Sequence, residues 1–174
     1  MSDSQKVRYI QDVDAGPIEL VARKPFKVET QDSRRFVRIE ISSPMSLRKI
    51  KDAGGNFEPD GDWHTLHGLI LNISAGGVLV EVDQPLFEGD VVSMHFTLQE
   101  VESIDNILGL VKRSDQDEGT FLAGIQFITR EYLEDLFSQA EMDLLPDSLT
   151  NFNEGIREVL NKYVFREKMS SRME

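Results

Sequence analysis

The stretch LHGLILNISAGGVLVEV, residues 66–82, decides the fold. It contains two short apolar runs, Leu66 to Ile73 and Val78 to Val82, separated by the small residues Ala75–Gly77. Glycine and small polar residues interrupt regular structure and allow tight turns. The stretch therefore predicts two neighbouring β-strands joined by a short connection.

Similar runs occur on both sides of this stretch. Strands are predicted at Val91–Leu98, at Ile107–Lys112 and at Thr120–Phe127, the last two separated by a polar turn over residues 115–119. Upstream, apolar and polar residues alternate from Val37 to Ser42, which is the period of a half-buried strand. Because closing a sheet removes its exposed edges, five or six short strands favour a barrel. We expect a mainly β fold, a six-stranded antiparallel barrel over residues 31–128.

The C-terminal residues 129–174 have helical periodicity. The first predicted helix has Thr129 as its N-cap, and its apolar stripe consists of Leu133, Leu136, Phe137 and Ala140. Pro146 ends it, and a second helix from about Glu154 carries a stripe of Ile156, Val159, Leu160 and Tyr163. We expect both stripes to pack on the barrel or on each other.

Composition indicates a cytoplasmic protein. The chain has no cysteine, no run resembling a signal peptide and no apolar stretch of membrane-spanning length, so we expect no membrane insertion. Residues 1–30 are too short for a second domain and are interpreted as an N-terminal arm or the remnant of a preceding module. Within them, Ile18–Ala22 is a candidate short strand that ends before Pro25.

Charge is distributed unevenly along the chain. Residues 21–51 carry nine Lys or Arg against three acids, although the net charge of the whole chain is −12. Residues 52–111 contain no Lys or Arg, but eleven acids. A basic segment in an acidic chain favours a compact anionic partner. Long nucleic acid would meet the whole negative field, so we expect no DNA partner.

Two short motifs have the chemistry of a nucleotide site. Arg34, Arg35 and Arg38 lie where a loop enters the first strand, and guanidinium groups bind phosphates bidentately and stack on bases. Asn72 and Ser74 are two residues apart, which predicts that both side chains lie on one face of a strand and meet a base edge or ribose. Gly77 would allow either an unusual torsion or a close approach that a Cβ would block.

In order and spacing these motifs resemble the PilZ domain, a bacterial receptor for cyclic di-GMP. That family has R-x-x-x-R before the first strand, matched by Arg34 and Arg38, and [DN]-x-S-x-x-G later, matched by Asn72, Ser74 and Gly77. Residues 122–127 and 163–166 resemble its last strand and closing helix. The resemblance implies a PilZ-type barrel whose arginines hold the phosphates and stack on guanine, with no cofactor beyond the ligand. It also implies that the ligand draws the arginine segment onto the barrel. The signal would then pass to a downstream protein, for example of the motility, adhesion or polysaccharide machinery.

Two alternatives compete with a receptor. An enzyme would need a site such as Asp60, Asp62, His64 and His67, but an extended segment places residues three apart on opposite sides, and no nucleophile–base pair is visible. We therefore expect no catalysis and no metal. The second alternative is an adaptor with the same fold that acts through protein contacts without nucleotide. All five motif positions are present, which favours the receptor.

Overall fold

The computed structural model describes residues 38–59, 64–98 and 103–173. In this part of the chain six strands close into one antiparallel barrel, and three helices follow. The expected barrel is thereby confirmed. The strands are β1 (Ile39–Lys51), β2 (Thr65–Ile73), β3 (Gly77–Val82), β4 (Val91–Thr97), β5 (Ser103–Asp117) and β6 (Thr120–Phe127), and the helices are α1 (Arg130–Leu136), α2 (Gln139–Leu144) and α3 (Glu154–Met173). Around the barrel the strand order is β1-β2-β3-β6-β5-β4.

Several sequence-based interpretations concern residues outside the described ranges. These are the N-terminal arm with its candidate strand Ile18–Ala22, the motif residues Arg34 and Arg35, and the acids Asp60 and Asp62. They stay predictions.

Alternation of apolar side chains builds the inside of the barrel. On β4, Val92, Met94 and Phe96 are at most 1% exposed, whereas His95 between them points outward. At the start of β1, Ile39 and Ile41 pack against the same inner cluster while Glu40 is exposed. Strand residues point alternately to the two faces of a sheet, so the sequence pattern alone locates the core.

The two ends of the barrel are defined by the direction of β1. The motif end is where β1 begins, β2 ends and β3 begins, at Ile39, Ile73 and Gly77. The lysine end is where β1 ends, at Arg48, Lys49 and Lys51. Pro44, between the two, lies in the part of β1 that pairs with β2, before pairing with β4 starts at Met45. A proline is tolerated there because a strand paired on one side does not need every N–H group.

Strands β5 and β6 form a longer hairpin than the sequence predicts. The turn predicted over residues 115–119 is present but shorter, because pairing continues to Asp117 opposite Thr120. The two turn residues, Glu118 and Gly119, both have positive φ angles (49° and 89°), which is typical of a type I′ hairpin. The predicted bounds were too wide because polar residues at a hairpin tip resemble a loop.

The single first helix expected after Thr129 is divided in two. Ser138 caps α2 with a capping box, in which its hydroxyl accepts from the Glu141 N–H and the Glu141 carboxylate accepts from the Ser138 N–H. This local arrangement ends α1 at Leu136 even though the apolar stripe continues. Thr129 does occupy the N-cap position of α1, but its side chain makes no capping hydrogen bond.

The helices cover the barrel with two apolar clusters. Helices α1 and α2 pack against an outer cluster that contains Ile50, Leu108 and Phe137. Helix α3 begins at Glu154 as expected and adds Leu160 and Tyr163 to the inner cluster, whose other members include Ile73 and Phe127 and against which Ile39 packs. No helix in the described ranges is long and apolar enough to cross a membrane.

Candidate functional site

Strand pairing places Glu40 opposite Asn72 and Ile39 opposite Ile73 at the motif end. Ile73 is buried, whereas Glu40 is exposed and Asn72 is half-buried, so the Glu40–Asn72 pair lies on the outside of the barrel. Arg38 is exposed and directly precedes β1. The end of the first motif therefore comes near the strand that carries Asn72, although the two are far apart in sequence.

Ser74 shapes the turn between β2 and β3. β2 ends at Ile73, so Ser74 is the first residue after the strand, and the prediction that it shares a face with Asn72 stays a prediction. Its side chain is only 7% exposed, and its hydroxyl oxygen accepts from the Gly76 N–H at 3.0 Å. The Ser74 N–H also donates to the Gly77 carbonyl at 3.0 Å. These bonds stabilise the turn, and β3 begins directly after it at Gly77.

Gly77 is required by close strand packing. A Cβ at this position would lie 2.2 Å from the Ile125 carbonyl oxygen on β6. Real Cβ atoms do not approach so closely, so β3 and β6 could not pair in this register with a larger residue there. Of the two reasons that the sequence offered for this glycine, the structure supports the close approach.

Three cations of the basic segment 21–51 bind within the fold. Arg48, Lys49 and Lys51 lie ten residues or more beyond Arg38, roughly 30 Å along an extended strand. Each of the three has a partner: Arg48 donates to the Pro59 carbonyl, Lys49 pairs with Asp90, and Lys51 pairs with Glu141. These three residues therefore do not add to an anion site near Arg38, because β1 carries them away from it.

At the lysine end the polar contacts hold the connecting segments to the barrel. The fully buried Asp90 carboxylate accepts from the N–H groups of Ala53 and Phe87, both at 2.9 Å, and lies 3.2 Å from the Lys49 Nζ. The Lys51 Nζ donates to the Leu136 carbonyl and to Glu141, which joins β1 to the α1–α2 region. The bond from Lys51 is the main reason that the pKa of Glu141 is lowered, followed by the bond from the Ser138 N–H.

A second set of residues on the outer face was missed by sequence reasoning. Asn72 lies opposite Leu79, Leu79 lies opposite Gly124, and Gly124 lies opposite Arg113. One row across four strands therefore ends in an exposed arginine. One sequence signal could have identified it: Lys112 and Arg113 are the first cations after the cation-free residues 52–111.

The candidate metal residues do not form a cluster where the structure describes them. Among the described residues no group of three or more His, Asp or Glu is placed to hold a metal ion. His67 is exposed on β2, and His95 is an exposed residue of β4 whose Nδ1 contacts Asp105.

Comparison with known proteins agrees with this barrel. The family model described as the PilZ domain matches residues 32–139. Among solved structures, the Bacillus subtilis inhibitor of motility (MotI/DgrA) superposes with a TM-score of 0.54 at 16% identity, covering 80% of this chain and 53% of its own. Escherichia coli YcgR, solved in complex with c-di-GMP, superposes with a TM-score of 0.50 at 14% identity, covering 80% of this chain and 48% of its own. This chain thus spans about half the length of these neighbours, and no curated protein matches its sequence.

Proposed function

The chain belongs to the PilZ domain family, a family of binding domains, and we propose that it is a bacterial receptor for cyclic di-GMP. The proposed site comprises Arg34, Arg35 and Arg38 of the arginine motif together with Asn72, Ser74 and Gly77 of the second motif. The receptor is not an enzyme. It acts by passing ligand occupancy to a downstream protein.

The observation that carries this proposal is the strand pairing of Glu40 with Asn72. It brings the start of β1, which Arg38 of the first motif directly precedes, next to the part of β2 that carries Asn72 of the second motif. Neither motif is specific alone, but their convergence is what a shared ligand requires. The fold neighbour YcgR, solved with c-di-GMP, supports the choice of ligand.

The residues of the proposed site have different roles, according to their chemistry. The arginines hold the phosphates with charge-assisted hydrogen bonds and stack on guanine. The Asn72 amide offers a donor and an acceptor to the base edge or ribose. Ser74 and Gly77 act chiefly by shaping the turn and the strand contact beside them, which fixes the position of Asn72.

The signal must arise from a difference between the loaded and the empty protein. A ligand shifts a conformational equilibrium only by contacts that one state makes and the other lacks. The segment from Arg34 to Arg38 enters β1, and β1 packs with α3 in the inner cluster. We propose that ligand contacts to this segment change the surface that the partner protein recognises.

The test is calorimetric titration of the protein with cyclic di-GMP, with GTP and cyclic AMP as controls. We expect selective binding in the low micromolar range or tighter. Arg34→Ala and Arg38→Ala should each weaken binding at least tenfold, because each loses charge-assisted bonds worth roughly 1.5–3 kcal/mol. Arg35→Ala should have a smaller effect, since Arg35 lies outside the matched spacing.

Arg48→Ala is the matched control. Arg48 is a β1 arginine at the lysine end that donates to the Pro59 carbonyl, so its loss should leave cyclic di-GMP affinity within twofold. Full affinity in both Arg34→Ala and Arg38→Ala would refute the proposed site. No binding by the folded, nucleotide-free wild-type protein would refute the receptor and favour the adaptor.

A further inference from the structure

The second half of helix α3 exposes two large apolar side chains. Phe165 is 66% exposed and Met169 is 42% exposed, although Tyr163 and Val164 next to them are buried in the inner cluster. Residues four apart lie one turn above each other on a helix, so Phe165 and Met169 form one continuous apolar surface. Single exposed hydrophobic residues need no explanation, whereas a pair side by side is a candidate contact surface.

Cations surround this apolar pair. Residues 162–173 contain four Lys or Arg and one acid, in a chain whose net charge is −12. Lys162 precedes Phe165 by about one helical turn, Lys168 directly precedes Met169, and both lysines are exposed. We call these four residues the α3 surface. An apolar centre with a basic rim fits a partner that is acidic and also offers apolar side chains.

Helices α1 and α2 present such a surface on the same chain. Residues 130–148 contain six acids and one Arg. Two large apolar side chains are exposed there, Tyr132 at 48% and Leu144 at 65%. The exposed acids nearest to them in the chain are Glu131, Asp135 and Asp143. We call these five residues the α1–α2 surface, which matches the α3 surface in apolar character and is opposite to it in charge.

We propose that the α3 surface of one copy docks on the α1–α2 surface of a second copy of this chain. Both surfaces are exposed within one chain, so the contact is made between copies. Two α3 surfaces facing each other would bring cations against cations, whereas α3 against α1–α2 brings opposite charges together. In a dimer with two-fold symmetry this contact is made twice, once in each direction. The inference does not depend on the proposed ligand.

The net charge of the chain limits the strength of this contact. Each copy carries −12, so two copies repel each other at long range. At physiological ionic strength charges more than about 8 Å apart are largely screened, whereas pairs within the interface are screened much less. Interfaces with few apolar side chains are small and transient. We therefore expect a reversible dimer with a Kd on the order of 10–100 μM.

Sedimentation equilibrium of the full, nucleotide-free chain over a range of concentrations tests the contact. Phe165→Ala should raise the Kd of the dimer by about tenfold, because it removes the largest apolar side chain from both contacts. Phe87→Ala is the matched control. Phe87 is 57% exposed in the connection between β3 and β4, outside both surfaces, so its loss should leave the Kd within about twofold. Thermal melting of each variant checks that the fold is intact.

A charge exchange tests which surface receives α3. Lys162→Glu with Lys168→Glu reverses the α3 surface, and Glu131→Lys with Asp135→Lys reverses the α1–α2 surface. Each double variant alone should stay monomeric at concentrations where the wild type dimerises. An equimolar mixture of the two should form dimers again. In the mixed pair one contact is wild type, and the other joins the two reversed surfaces.

Each outcome supports or overturns the proposal. A wild-type protein that stays monomeric well above the expected Kd overturns it, and so does a dimer that Phe165→Ala leaves intact. A mixture of the two charge-reversed variants that stays monomeric overturns the pairing of α3 with α1–α2. Restored association in the mixture supports that pairing. None of these outcomes bears on cyclic di-GMP binding, which the calorimetric titration tests separately.

Discussion

The two ends of strand β1 use the same residue types in different ways. At the lysine end, Lys49 and Lys51 are bound to Asp90 and Glu141, so their charges serve the fold. At the motif end, Arg38 is exposed and directly precedes β1, whose Glu40 pairs with Asn72 on the outside of the barrel. A basic segment in a sequence is therefore not one functional unit when a strand runs through it. Substitutions at the lysine end should alter stability without altering ligand affinity. At the motif end, some substitutions should lower ligand affinity alone, and others should lower both affinity and stability.

The largest effect is expected for Asp90→Ala. The substitution removes a fully buried carboxylate that accepts two backbone N–H bonds and pairs with Lys49. Removing one partner of a buried charged network typically costs about 3 kcal/mol or more, because the remaining groups stay desolvated and unpaired. Urea denaturation measures the free energy of unfolding. Cyclic di-GMP affinity should not change under conditions where the variant remains folded.

Asp83→Ala controls for the loss of a negative charge. Asp83 is exposed and lies in the same connection between β3 and β4. Its replacement should change stability by less than about 0.5 kcal/mol, the usual range for surface positions. If Asp90→Ala were equally harmless, the view that the lysine end holds the fold together would be wrong.

Gly77→Ala tests whether a motif residue also supports the fold. The added methyl group would lie 2.2 Å from the Ile125 carbonyl oxygen, so β3 and β6 must move apart. Forcing atoms into a packed region costs about 1–3 kcal/mol. We expect both a lower denaturation midpoint and weaker cyclic di-GMP binding. Gly155→Ala, near the start of α3, places its Cβ 3.3 Å from the Asn153 Oδ1 and meets no backbone atom, so it should cost much less stability than Gly77→Ala. A Gly77→Ala variant of normal stability that loses binding would instead indicate direct ligand contact.

Ser74→Ala tests whether Ser74 also supports the fold. If Ser74 acted only by contacting the ligand, its loss would not change the stability of the ligand-free protein. Ser74 is buried and its hydroxyl accepts from the Gly76 N–H, so its loss should cost about 1 kcal/mol of stability even without ligand. Differential scanning calorimetry of the ligand-free protein measures the change. An unchanged melting temperature would contradict the structural role and leave ligand contact as the function of Ser74.

What the sequence predicted well is what depends on local pattern. The alternation of Val92, Met94 and Phe96 locates the core because a strand has only two faces. The start of α3 at Glu154 was predicted because an apolar stripe begins there after Pro146. Both features are decided by neighbours along the chain.

What the sequence did not predict depends on pairing between distant residues. The row from Asn72 to Arg113 exists because β5 pairs with β6 and β6 with β3, and no local pattern gives that register. Likewise, the partner of Lys51 lies ninety residues away on α2. Motif spacing singled out Arg38 and Asn72, but only the pairing of β1 with β2 shows that the start of β1 lies next to Asn72.

The smallest predicted effect concerns the contact between Lys51 and Glu141. Lys51→Met keeps an unbranched side chain but removes the ammonium group, which donates to Glu141 and to the Leu136 carbonyl and lies 5.5 Å from the centre of the Phe137 ring. We expect a loss of about 1 kcal/mol at neutral pH, since the pair is partly exposed to solvent. Part of this loss should depend on pH. The pKa of Glu141 is lowered from its ordinary value of 4.5, so the folded protein favours the charged carboxylate.

The sign of that dependence can be measured directly. The stabilisation from Glu141 is fully present above pH 4.5 and is lost as the pH falls through the lowered pKa of the folded state. In denaturation curves from pH 7 to pH 3, the difference between wild type and Lys51→Met should shrink below pH 4.5. A constant difference would show that Lys51 acts through the Leu136 carbonyl alone. Cyclic di-GMP affinity at neutral pH should be equal in both proteins, because a salt bridge at the lysine end can stabilise the barrel without touching the motif end.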